Sequence, residues 1–484
     1  MGKELSSSRF NKQDFKAFDK NLRQQTSQLA DWFAEKKFSS RQLMSGFEME
    51  AWLIDKQGRP APLNDVFLDK LSNPLVVLEL AKFNVELNGF PQPLQGKVFS
   101  LLRDELLSTI GHCRSVAKTM NIDLIMAGIL PTVCNEDLNL ANMSMTHRFK
   151  ALNEQVLRLR KGRPLHISIQ GREHLRVSHF DVMLEAAASS FQIHLQVGQD
   201  HAVRFYNAAC IVSAPMVAVS ANSPYLFGKD LWDETRIPLF EQSVEIKADK
   251  QLDEVQTSMA AGLLQRVSFS SGYLKQSMLE VFDENFDSFP VLLPSDLSDE
   301  SDPMAYVRLH NGTIWRWNRP LIGYDDDGTP HLRIENRVVP AGPSVADSIA
   351  NAALFYGLVT ALAHDECPPE SLISFVTARE NFYKAARLGM RASIAWLDGR
   401  TVPLKELFLG ELLPLARKGL ERMDICLDDI NENLEIIEGR VRSGMNGAGW
   451  QRAYVEKHNA SMSQLISAYL ERQKSASPVH QWTL

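Results

Sequence analysis

Two segments of this chain place acids where hydrocarbon is expected. In SGFEMEAWLID, residues 45–55, Glu48 and Glu50 stand among Phe47, Met49, Ala51, Trp52, Leu53 and Ile54. Alternate residues of a strand share a face, so these two carboxylates project the same way, about 7 Å apart. LELAKFNVELNG adds Glu86 in another apolar strand, with Glu79 seven positions before it. FQIHLQV puts His194 and Gln196 on one strand face, and LRIENRV puts Arg333, Glu335 and Arg337 on one face. Each has an ordinary explanation alone: a solvent-facing glutamate, a satisfied sheet histidine, an acid paired with its arginine neighbours. Together, four strand candidates each present acid, imidazole or guanidinium on one side. If those sides converge, carboxylates are buried beside carboxylates, which is costly without cations. Divalent metal ions are the usual compensation.

The elements that would position these groups read as a mixed α+β fold. Residues 11–43 and 94–120 are helical by apolar spacing, and 46–54, 83–89 and 189–198 are strands. DKQGRPAPL reads as a turn with a return strand, Pro74–Lys82 as a short helix, and IDLIMAGILP as a strand entering a loop. Residues 200–218 are helical. GTIWRWNRPLI and PHLRIENRVVP flank YDDDG, a solvated hairpin turn and no calcium loop. From 344 on, helices are expected over 344–365, 369–390, 403–438 and 448–473. A weak boundary at Asp365–Glu370 divides a catalytic core, 1–367, from a helical region, 368–484. Hairpins mixed with long helices favour a curved, mostly antiparallel sheet with helices on its outer face over a doubly wound parallel sheet.

Bulk composition narrows the partners. The 484 residues are 44% hydrophobic and 23% charged, with a net charge of −7, which argues against nucleic acid. RLRKGR, residues 158–163, is the cationic end of a helix stopped at Gly162. Five scattered cysteines without a CxxC spacing fit a reduced, cytoplasmic chain. The longest apolar stretch, Asn351–His364, is expected to be a buried helix too short to cross a membrane. The mixed-charge helices over 403–473 form either a layer on the catalytic sheet or a homo-oligomer contact, and the tail SPVHQWTL either docks near the site or packs on the surface. There is no Walker A loop, G-x-G-x-x-G, G-x-S-x-G or H-E-x-x-H.

In order along the chain, GFEME, LELAKFNVELNG, FQIHLQV, WNRP and RIENRV resemble the glutamate-cysteine ligase family, and more narrowly its second group, which includes the bacterial carboxylate-amine ligases. The resemblance runs from about Gly46 to Asp347. It implies a glutamine synthetase-like core whose concave sheet face holds ATP and two or three Mg²⁺ or Mn²⁺ ions. It implies Glu48, Glu79 and Glu86 around one ion, and Glu50, His194 and Glu335 around another. It also implies Arg236, after an Asn222-Ser-Pro loop, on a substrate carboxylate, and Arg319, Arg333 and Arg337 toward the phosphates, with Glu48, Glu335 and Arg337 nearest the chemistry. The donor types agree: glutamate oxygens suit Mg²⁺ and one imidazole admits Mn²⁺. The implied reaction couples an amino-acid carboxylate, by default glutamate, to an amine, by default cysteine, through an acyl phosphate. Its partners are small molecules, with no nucleic acid and no membrane. Two other readings stay open: a regulator on the same scaffold with its chemistry lost, and a phosphotransferase of the guanidino-kinase type. Loops near 222–236 and 285–303 are candidates to close over substrates.

Overall fold

A computed structural model describes residues 4–246, 265–298 and 301–484. Its centre is a curled antiparallel sheet. The strands that matter for the site are β1 (Met44–Ile54), β2 (Val76–Leu78), β3 (Asn84–Asn88), β4 (Asp123–Ile125), β5 (Phe191–Val197), β6 (Asn318–Tyr324) and β7 (Pro330–Asn336). In space they run β6-β7-β5-β1-β3-β2, with β4 paired to the far end of β1.

The register explains why polar residues sit in apolar strands. Residues directly opposite in an antiparallel ladder share a face. Arg319 of β6 lies opposite Glu335 of β7, Glu335 opposite His194 of β5, and His194 opposite Gly46 of β1. One step along, Gln192 faces Glu48 and Glu48 faces Asn88, while Glu50 faces Glu86. Every charged residue singled out on these strands therefore falls on one side of the sheet.

The other side is hydrocarbon. Phe47, Met49, Ala51 and Leu53 of β1 and Phe191, Ile193, Leu195 and Val197 of β5 are all buried. They belong to the same core as two helices apolar nearly all round, α1 (Ala202–Ser220) and α2 (Val345–Ala363). Such helices belong inside a protein. Tyr356 of α2 donates its hydroxyl to the His194 carbonyl at 2.8 Å, which ties this layer to the back of β5. The stretch expected to be too short for a membrane belongs to α2, which by length and composition is long enough. Its apolar window is 94% buried inside the protein, and that of the segment containing α1 is 89% buried.

Against α2 pack α3 (Leu413–Arg422) and α4 (Leu427–Ser443). The α2–α3 crossing is close because both helices carry glycine there. A Cβ on Gly419 would lie 1.9 Å from the Gly357 carbonyl oxygen.

Three expectations are corrected. Pro74–Lys82 is no helix: Val76–Leu78 is a strand paired with β3, where two valines suit an edge. The return strand after Asp55 shrinks to a single bridge between Ile54 and Pro60. Pro60 and Pro62 have no N–H for a ladder, and the chain enters a helix at Asn64–Leu71 instead. The C-terminal region is not wholly helical: Ser393–Ala395 pairs with Thr401–Pro403. Its long helices are also broken, with Asp424 and Asn459 in left-handed conformation at φ 55° and 46°. YDDDG is the hairpin turn expected, with the Gly328 N–H donating to the Asp325 carbonyl at 2.8 Å.

Gly419→Ala is expected to destabilise the protein by about 1–3 kcal/mol, because backbone cannot give way as a side chain can. Urea unfolding followed by circular dichroism checks this.

Candidate active site

The concave face of the sheet lines a cavity of about 490 Å³. Near one end, His194, Glu48 and Glu335 converge from β5, β1 and β7. His194 Nε2 lies 3.5 Å from Glu48 Oε1 and 3.7 Å from Glu335 Oε1. One ligand atom from each residue falls within 4.8 Å of the other two. His194 is 6% exposed, and its Nε2 is buried without a hydrogen-bond partner. Burial holds its pKa down at about 4, with Arg333 adding to this and Glu48 partly offsetting it. The imidazole is thus neutral near pH 7, as a metal ligand must be. Two carboxylates and a free imidazole nitrogen at this spacing fit a divalent cation with bonds of about 2.1 Å after a small closure.

Glu335 is already balanced by protein charge. Arg319 binds it with two hydrogen bonds, Nε to Oε2 at 2.9 Å and Nη2 to Oε1 at 3.0 Å. Arg337 Nη1 donates to Oε2 at 3.0 Å and also to Gln192 Oε1. Burial raises the Glu335 pKa, but the two guanidinium groups outweigh it and keep the carboxyl well below the usual range. Arg333 and Arg308 line the same cavity, and the buried Arg333 Nε has no hydrogen-bond partner. This end gathers cations and is suited to anionic ligands.

The other end gathers acids. Glu50 accepts from the Ser190 N–H and hydroxyl, both at 2.8 Å, and from Gln192 Nε2 at 2.9 Å. Glu86 Oε1 accepts from Asn88 Nδ2 at 3.1 Å. Burial raises the pKa of Glu50, Glu79 and Glu86 alike. For Glu79 the neighbouring Glu86 and Glu50 push it further up. Glu185 joins them from the 3-10 turn Met183–Ala187. Burial, then Glu50, push its carboxyl up to about 8.

Glu48, Glu50, Glu79, Glu86, His194, Arg319, Arg333, Glu335 and Arg337 thus share one concave face, but their grouping differs from the one expected. His194 and Glu335 close around Glu48, because the register puts Glu50 one pair further along, opposite Glu86. Arg236 and Asn222 do not line the cavity. The Arg236 guanidinium is spent inside the protein, on Glu234 Oε1 at 3.1 Å and on the carbonyls of Arg337 and Val338. Asn222 donates to the Ala341 carbonyl and the Tyr469 hydroxyl and accepts from Gln451. The 222–236 segment is mostly buried, and of the 285–303 segment residues 299–300 lie outside the described residues. The tail packs on the C-terminal helices, with Trp482 edge-on to Trp450 and Tyr469, and does not reach the cavity. Glu185, Asn84, Arg148 and Arg308 were not singled out in the sequence. Arg148 and Arg308 lie on helices among ordinary surface charges, and Glu185 sits in a turn where no periodicity marks a face. Its one sequence signal is an acid before the small-residue run AAASS.

A family model described as "Glutamate-cysteine ligase family 2(GCS2)" matches residues 44–471. Among solved structures, a glutamate–cysteine ligase from Francisella tularensis in complex with AMP superposes with a TM-score of 0.58 at 12% identity, covering 90% of this chain and 89% of that one. A bifunctional glutathione synthetase from Pasteurella multocida superposes with a TM-score of 0.51 at 10% identity, covering 92% of this chain and 53% of that one. This chain therefore spans about half of the bifunctional protein. No curated protein matches the chain by sequence.

The grouping is open to a direct check by manganese titration followed by electron paramagnetic resonance. Glu48→Gln and His194→Ala are expected to weaken the tightest Mn²⁺ site about tenfold or more, and Glu50→Gln to change it only a few-fold. A larger loss in Glu50→Gln than in Glu48→Gln would restore the other grouping.

Proposed function

Because the chain belongs to glutamate-cysteine ligase family 2, and so is an ATP-dependent carboxylate–amine ligase, we propose that it joins the γ-carboxylate of glutamate to the amine of cysteine through an acyl phosphate. The observation that carries this reading is the meeting of His194 with Glu48 and Glu335, two acids that line a cavity also lined by Arg308, Arg319, Arg333 and Arg337.

In the first step a substrate carboxylate oxygen attacks the γ-phosphorus of ATP. The new O–P bond forms as the bond to the β-phosphate bridge breaks, and ADP leaves. Two anions must approach, and at 4 Å their repulsion is about 4 kcal/mol at an effective dielectric near 20. Arg319, Arg333 and Arg337 are the chain's answer to that charge, and Arg337 is in addition held rigid by Gln192 and Glu335. Glu48, His194 and Glu335 would hold a divalent cation, Mg²⁺ or Mn²⁺, which when bound supplies neutralisation of the phosphate charge. Glu50, Glu79 and Glu86 are proposed for further ions. In the second step the amine, having given up its ammonium proton to solvent, attacks the acyl carbon through its nitrogen, the carbon–oxygen bond to phosphate breaks, inorganic phosphate leaves and the nitrogen loses a second proton to solvent. No side-chain nucleophile is required.

Incubating the protein with ATP, Mg²⁺ and a panel of amino acids, and measuring phosphate, tests the reading. Release should require glutamate and rise with cysteine. Glu335→Gln should lower it by about a hundredfold or more with the fold retained by circular dichroism. Equal release with every acid, or none with any, would overturn the substrate assignment.

A further inference from the structure

The cavity sorts charge along its length. Arg308, Arg319 and Arg333 collect toward the Glu48–His194–Glu335 end, while Glu50, Glu79, Glu86 and Glu185 collect at the other. Arg148 and Arg337 act on both ends, and the carboxylates at the acidic end outnumber them. Glu185 does not take part in the metal-compatible group, the single such group among the described residues. Its carboxylate lines the cavity and accepts no hydrogen bond from any described residue.

A second, independent feature stands at the same end. Asn84 of β3 is 3% exposed and lines the cavity, yet neither its Nδ2 nor its Oδ1 has a hydrogen-bond partner. The register places it opposite Trp52, one pair beyond Glu50 and Glu86 on their side of the sheet. A buried amide with both atoms unmet costs free energy unless a ligand meets them. Val182, Ala186 and Ala188, within three residues of Glu185 in the chain, line the cavity too and are small and apolar. Such walls fit an organic body better than a hydrated ion, and the acids call for positive charge.

We propose that Glu185 and Asn84 form the subsite that receives the ammonium group of the incoming amine substrate. Glu185 supplies the opposite charge, and Asn84 Oδ1 accepts a further N–H. This rests on the ligase reading above. The anionic partners, the triphosphate and the acid to be activated, belong at the arginine end, and Glu50, Glu79 and Glu86 serve the further ions, which leaves Glu185 to the partner that arrives as a cation. The small walls select an amine with a short, uncharged side chain.

The test compares a charged amine, cysteine, with hydroxylamine, a nucleophile largely uncharged near neutral pH, in glutamate-dependent ATP turnover. Glu185→Gln should raise the KM for cysteine about tenfold or more. The KM values for hydroxylamine, glutamate and ATP should move by no more than about twofold, within the scatter of ordinary surface substitutions. Asn84→Ala should shift the cysteine KM in the same direction by a smaller factor, and Glu185→Asp should recover part of the loss. If Glu185→Gln loses its fold by circular dichroism, Glu185→Asp and Asn84→Ala carry the comparison. A raised KM for glutamate instead of cysteine, an equal rise for hydroxylamine, or no change at all would overturn the subsite while leaving the ligase reading intact. A wild-type chain that turns over no ATP with any acid would overturn the ligase reading itself, and the subsite with it.

Discussion

Repulsion between like charges on one sheet face is the constraint around which this protein is built. Glu48, Glu50, Glu79, Glu86, Glu185 and Glu335 all border one cavity. At 4 Å a single pair of such charges repels by about 4 kcal/mol at an effective dielectric near 20. The protein meets part of this itself. Arg319 and Arg337 neutralise Glu335, and hydrogen bonds from Ser190 and Gln192 reach Glu50. Burial raises the pKa of Glu50, Glu79 and Glu185 at the far end, a shift that bound positive charge opposes. The site is thus tuned to bind positive charge, and its arginine end to bind negative charge beside it.

Holding repelling groups together requires a rigid frame, and the back of the sheet supplies one. The apolar faces of β1 and β5 lie on α1 and α2, both almost wholly buried. Tyr356 fastens α2 to the backbone of His194. Arg236 braces the site from a different direction. Its guanidinium holds the carbonyls of Arg337 and Val338, so a residue expected on a substrate fixes the backbone of a cavity arginine instead. Asn222 ties the neighbouring loop to the C-terminal helices through Tyr469 and Gln451.

The strand faces could be read in the sequence because alternation is a local property. Glu48, Glu50, Glu86 and His194 each stand between apolar neighbours, Glu335 follows Ile334, and each lies on the face that alternation places it on. Register is not local, and the sequence does not tell that His194 and Glu335 meet Glu48 while Glu50 lies opposite Glu86. Which acid meets His194 depends on how β1 slides against β5, and no single strand carries that information. Pro74–Lys82 misled because a three-residue edge strand is too short to show a period. Glu185 was invisible for a related reason: its turn has no face until the cavity exists. The resemblance alone places Arg236 on a substrate carboxylate, and the carbonyls that occupy it lie 101 and 102 positions away in the chain.

Anomalous diffraction from crystals grown with Mn²⁺ and a non-hydrolysable ATP analogue would test the central claim most directly. The account predicts a manganese peak within bonding distance of Glu48, His194 Nε2 and Glu335, with the analogue's phosphates toward Arg319, Arg333 and Arg337. A cavity without manganese at those three residues, or a nucleotide bound away from the concave face, would contradict it.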